Sequence, residues 1–144
     1  MEITSPVFEH HQTIPVKYTC QGENISPPLI FKEIPQNTKS LVLIMDDPDA
    51  PGGTFDHWLV WNIDPESKGL SEGQQGLMTG LNSYSNNQYK GPCPPPGKPH
   101  RYFFNLYALD TLIDMPASSR KQELEKAIQD HILHKAQLIG IFEQ

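Results

Sequence analysis

Three aspartates, two histidines and a tyrosine stand where apolar runs of this 144-residue chain begin or end. Asp46, Asp47 and Asp49 follow the run Leu41-Val42-Leu43-Ile44-Met45, His57 lies near the start of Phe55–Ile63, and His100 and Tyr102 open His100–Leu109. Imidazole and phenol groups donate hydrogen bonds to phosphate or carboxylate oxygens, and a carboxylate orients a histidine through its second ring nitrogen. Backbone N–H groups in a neighbouring Gly/Pro loop add further donors, and a spare carboxylate suits an ammonium headgroup. An unperturbed histidine titrates near ~6.5, so His57 and His100 are the groups able to gain charge near neutrality. The chemistry in view is a small anion pocket.

Each residue also has a plainer role. Aspartates beside prolines are common turn formers, which alone accounts for Asp46, Asp47 and Asp49. His57 alone reads as a satisfied core histidine, and Trp58 and Trp61 as core. His10, His11, His131 and His134 have no sequence partners and read as surface or packing residues. An Asp/Asp/His/His hydrolase metal site lacks any fixed ligand spacing such as H-E-x-x-H, and no metal is expected. There is no G-x-S-x-G elbow, no P-loop and no G-x-G-x-x-G, so no cofactor is expected either.

The elements that must hold these groups are mainly strands. Fourteen prolines and ten glycines in so short a chain imply many turns and few long elements. Leu41 to Met45 reads as a buried strand ended by Asp46–Gly53. Phe55–Ile63 reads as a second, with His57, Leu59, Trp61 and Ile63 on one face and Trp58, Val60 and Asn62 on the other. The polar stretch 69–90 reads as a long surface loop. Gly91-Pro92-Cys93-Pro94-Pro95-Pro96-Gly97-Lys98-Pro99 is a stiff wall, because proline lacks a backbone donor and fixes φ, and a third strand emerges from it at His100. Ser119 and Gln122 fit a capping box, followed by Leu124, Ala127, Ile128, His131 and Ile132 at helical spacing, with a break expected near Asp130. The tail from Ala136 to Phe142 is strand-like.

Length predicts one domain over 1–144. A formal charge of −6 disfavours long-range capture of nucleic acid or an anionic membrane, so any anion needs a local site. The N-terminal residues show no signal-peptide pattern, and no apolar run approaches the ~20 residues of a membrane span, so a cytoplasmic protein without stable membrane insertion is expected. Cys20 and Cys93 form no C-x-x-C pair. Free thiols are the default in a reducing cytoplasm, while the spacing leaves a bridge open.

Asp47-Pro48-Asp49-Ala50-Pro51 followed by Asp56-His57-Trp58, then Gly91-Pro92-Cys93-Pro94-Pro95 and His100-Arg101-Tyr102, resembles the paired signature of the phosphatidylethanolamine-binding proteins, which include the Raf kinase inhibitor proteins. The segments Gly22–Leu29 and Asn82–Tyr89 are similar to the bacterial and archaeal branch. The resemblance implies a Greek-key antiparallel sheet, a smaller second sheet and a C-terminal helix. It places Asp47, His57, Pro95 and Tyr102 in an anion pocket, with Cys93 supplying a backbone N–H and Asp49 and His100 nearby. It implies a non-enzymatic module for phosphate, phosphorylethanolamine or a carboxylate, with a kinase or protease as partner and a homodimer allowed. The reading from another class is a hydrolase acting on a phosphoester or peptide through His57 and His100.

Overall fold

A computed structural model describes residues 1–144. The apolar, β-branched and aromatic runs form its three long central strands: β4 (Ser40–Asp47), β5 (Phe55–Ile63) and β8 (His100–Leu109). Around them lie β1 (Glu2–Thr4), β2 (Gln12–Thr13), β3 (Leu29–Lys32), β6 (Gly69–Leu70), β7 (Met78–Thr79) and β9 (Ile132–Phe142). They make a six-stranded sheet in the order β2-β9-β8-β4-β5-β7 and a three-stranded sheet in the order β1-β3-β6. Every pair is antiparallel except β2 with β9.

The main core fills the space between the sheets, where Ile3, Leu29, Phe31 and Leu70 face Leu41, Leu43, Met45, Val60, Tyr102 and Leu106. The opposite face of the large sheet is covered by α1 (Lys121–Ile128), whose Leu124 and Ile128 close over Val42, Ile44, Leu59 and Trp61. Both faces of β4 and β5 are therefore covered, and each fully buried aliphatic side chain stabilises the fold by about 1.5–3 kcal/mol. Residues 58–61 divide between the two cores as their alternation predicts: Trp58 and Val60 lie in one, Leu59 and Trp61 in the other.

At both ends of β5 the expected faces change. Met45 pairs with Trp58 but Asp46 pairs with Asp56, so His57 is an extra residue opposite β4. Such a bulge re-aims a side chain, and here it turns His57 to the face of Trp58 instead of that of Leu59. A second irregularity falls between Leu41↔Ile63 and Leu43↔Val60, where Asn62 adopts φ 54°. Asn62 thereby faces the helix side, its amide donating to the Ile113 carbonyl and accepting the Ile113 N–H, while Ile63 returns to the main core.

Three further expectations are corrected. The helix starts at Lys121, and Glu123 accepts the N–H of Arg120 (3.2 Å), so Arg120 stands where Ser119 was expected as the cap. It ends at Ile128, because His131 and Ile132 are drawn toward β8: the Asp110 N–H bonds to the His131 carbonyl and Ile132 pairs with Leu109. Pairing and burial outweigh helical periodicity there. The stretch 69–90 is more than a surface loop. It contributes β6 and β7 and folds around buried Asn82, whose Oδ1 accepts the Tyr84 and Asn86 N–H groups and whose amide donates to the Gln88 carbonyl. Finally, Cys20 and Cys93 are joined in a disulfide, not left as free thiols.

Candidate functional site

The C-terminal end of β4, the bulge in β5 and the first residues of β8 meet beside the proline wall. β4 supplies Asp47, the bulge supplies His57, and His100 and Tyr102 alternate inward on β8. Residues 91–99 run as irregular backbone, anchored at one end by the Asn24 side chain accepting the Gly91 N–H (2.7 Å) and by the disulfide at Cys93. A Cβ at Gly91 would run into the Tyr18 carbonyl, so glycine permits the close approach with which the wall begins.

Together these pieces enclose a cavity of about 100 Å³ lined by Asp47, His57, Cys93, Pro95, His100 and Tyr102. Five residues not singled out in the sequence complete it: Ala50, Pro51, Phe55, Tyr84 and Pro94. Phe55 and Tyr84 meet edge-on at 4.9 Å, Tyr84 being half exposed at the rim. Asp49 is not part of the lining. It turns outward and holds Arg101 through two side-chain contacts and the Arg101 N–H, all at 2.9 Å.

Asp47 and His100 are both buried, and the His100 Nδ1 lies 2.7 Å from the Asp47 carboxylate. Asp47 also accepts the Asp49 N–H at 2.7 Å, which closes the turn after β4. His57 is fixed differently. Its Nδ1 is 2.6 Å from the Lys90 carbonyl. A carbonyl can only accept, so Nδ1 carries the proton and Nε2 is the nitrogen left for a ligand. Burial pushes the His57 pKa below the ordinary imidazole value; the Lys90 carbonyl, Asp47 and Asp56 oppose the shift without cancelling it. Tyr102 packs edge-on to His57 (centroids 5.3 Å), and burial and then the Asp47 charge hold its phenol protonated far above the usual range. The Cys93 N–H donates to no other group of the chain.

On the other face of the sheet Lys121 reaches Asp46 at 3.1 Å and Asp56 at 2.8 Å, tying α1 to the two strands that carry Asp47 and His57. Asp46 thus belongs to this brace and not to the cavity.

The resulting arrangement can offer donors from Tyr102, from the Cys93 amide and, once protonated, from His57, within a rigid surround. A two-sheet β-fold with such a cavity at the end of its central strands defines a small ligand-binding protein. The sequence model described as phosphatidylethanolamine-binding protein matches residues 4–143, and the chain belongs to that family. It is 44% identical over 151 residues to a UPF0098 protein of Methanothermobacter thermautotrophicus, covering 100% of this chain and 99% of the relative. Among solved structures it is similar to a putative phosphatidylethanolamine-binding protein homolog, CT736, of Chlamydia trachomatis, at TM-score 0.95 and 42% identity over 99% of this chain and 97% of that one. It is also similar to YbcL of E. coli, described as a member of the mammalian family, at TM-score 0.92 and 28% identity over 99% and 98% of the two chains. No helix is long and apolar enough to cross a membrane.

Proposed function

We propose that the chain binds a small oxyanion, a phosphate ester or carboxylate, in the cavity of Asp47, His57, His100 and Tyr102, and that binding draws a proton onto His57. The supporting observation is the fixed tautomer of His57, whose Nδ1–H is committed to the Lys90 carbonyl. A neutral His57 meets a ligand oxygen with a lone pair at Nε2, whereas a protonated one meets it with an N–H and a positive charge. Pro95, the Cys93 amide and Tyr102 complete the surround, and the carboxylate of Asp47 is used in orienting His100.

The half-exposed aromatic rim gives a kinase or protease partner a surface beside the anion, which makes the module regulatory in this reading. Disulfides persist mainly in oxidising surroundings, so the Cys20–Cys93 bridge favours an oxidising compartment or a disulfide-tolerant cytoplasm over the reducing cytoplasm expected from the sequence.

The Asp47–His100 contact favours one competing reading, since a carboxylate that orients a histidine also serves a general base in hydrolysis. Calorimetric titration with phosphorylethanolamine, run beside an assay for released phosphate, separates the two. Saturable heat without product supports binding; steady product release that disappears in His57→Ala supports the hydrolase. Absence of both would remove the site from either role.

A further inference from the structure

Trp58, the neighbour of His57 on β5, lines a second cavity of about 220 Å³, below the ~300–1,000 Å³ typical of drug-sized ligand sites. Its walls come from the turn at 24–26, the segment 73–79 and residues 87–89, with Trp58 and Tyr89 as its aromatic floor. Those two rings meet edge-on at 5.4 Å, and the Tyr89 hydroxyl is committed to the Tyr18 carbonyl.

Two polar side chains in this lining are more than nine-tenths buried and yet unpaired. Trp58 is 2% exposed and Ser26 4%. The Ser26 carbonyl accepts the Gly73 N–H, but the Ser26 hydroxyl and the Trp58 indole N–H bond to no group of the chain and, unlike the Trp61 indole N–H on the opposite face, are not sealed from solvent. Trp58 and Ser26 are both lining residues of this cavity. Gln88 adds a side-chain amide with no partner in the chain, and Gln74, whose Oε1 accepts the Ser71 N–H, has its NH₂ group free.

The lining contains no Asp, Glu, Lys, Arg or His. A charged ligand would lose its hydration with no countercharge to replace it. A purely apolar ligand would cut the buried indole N–H and the buried hydroxyl off from water without giving either a partner. A neutral molecule bearing several hydroxyls escapes both penalties, because side-chain amides pair with hydroxyl groups and an aromatic floor packs against C–H faces. We propose that this cavity is a binding site for a neutral polyhydroxylated molecule of monosaccharide size, separate from the anion cavity.

Trp58 and Trp61 are the two tryptophans, so the ¹H–¹⁵N spectrum should contain two indole cross-peaks, assigned with Trp61→Phe. Titration with glucose and N-acetylglucosamine should move the Trp58 peak saturably and leave that of Trp61 in place. Ser26→Ala, a small change that preserves the fold, should weaken binding roughly fivefold, the loss of about one neutral hydrogen bond. A Trp58 peak that stays fixed to the solubility limit of both sugars would show a cavity that holds only water and would overturn the proposal. So would a non-saturating drift shared by both indoles, or a Ser26→Ala affinity equal to that of the wild type.

Discussion

Adjacent residues of one strand, His57 and Trp58, open into cavities of opposite character. The His57 cavity is small, walled by proline and surrounded by groups that carry or exchange protons; the Trp58 cavity is lined by neutral amides, hydroxyls and aromatic rings. Both lie on one face of β5 only because the bulge turns His57 out of alternation. A single inserted residue thus lets one strand serve two chemistries. They should also respond to different perturbations, the first to charge, pH and the integrity of the wall, the second to none of these.

The largest expected effect is on the wall. The disulfide joins residues 73 apart, and a loop of that length corresponds to about 4 kcal/mol in the chain-entropy account. The Cys20→Ser/Cys93→Ser variant should lose about that much stability in urea titrations and should loosen the anion cavity, of which Cys93 and Pro94 are part. The Trp58 indole shift should change less. Equal disturbance of both cavities would mean that the wall supports them jointly.

Next is Asp47→Ala, which leaves buried His100 without its carboxylate and the Asp49 N–H without its acceptor. A loss of about 3 kcal/mol is expected from removing the two hydrogen bonds that the buried carboxylate accepts, measured by chemical denaturation. A near-neutral result would show that the contact orients His100 without supporting the fold.

A smaller effect concerns pH and stability. In the ligand-free protein the pKa of His57 is lower folded than unfolded. The contribution of neutral, buried His57 is therefore complete above the ordinary value of ~6.5 and declines as pH falls from there toward the folded value. His57→Gln should flatten that part of the stability profile; an unchanged slope would assign it to another group.

The smallest effect near neutrality belongs to Asp49, just outside the cavity. Arg101 holds the Asp49 carboxyl at about 2, so its contribution is present above the usual carboxylate range and is lost as pH falls toward that value. Because Asp49 lies outside the cavity lining and is engaged by Arg101, Asp49→Asn should leave anion affinity at neutral pH nearly unchanged. A large loss of affinity would move Asp49 into the site, where the sequence had placed it.

What was legible beforehand divides along the same lines. The three central strands and the polar residues at their ends could be read because apolar runs, Asp-Pro turns and the proline wall are local signals, and the family resemblance fixed the architecture. Whether the wall was stapled was left open, since spacing does not report the distance between Cys20 and Cys93. The turn of His57 was invisible because a bulge depends on how β5 registers against β4, a relation between distant segments. The same holds for Tyr84, brought to the rim by a turn built on Asn82, and for Ile132, helical in period but paired with Leu109. Phe55 was seen as a strand residue, yet nothing in its own neighbourhood marked it as lining.

The most direct test of the central claim is proton uptake on anion binding. Calorimetric titration with glycerophosphoethanolamine, a phosphodiester of constant charge across the range, should be run near pH 7 in buffers of different ionisation enthalpy and repeated at lower and higher pH. The account predicts net uptake approaching about one proton per bound anion, and affinity that rises as pH falls by up to about tenfold per pH unit between the anion-bound and free His57 pKa values. Both effects should disappear in His57→Ala. Binding with no proton uptake and the same affinity throughout, or uptake that survives in His57→Ala, would contradict it.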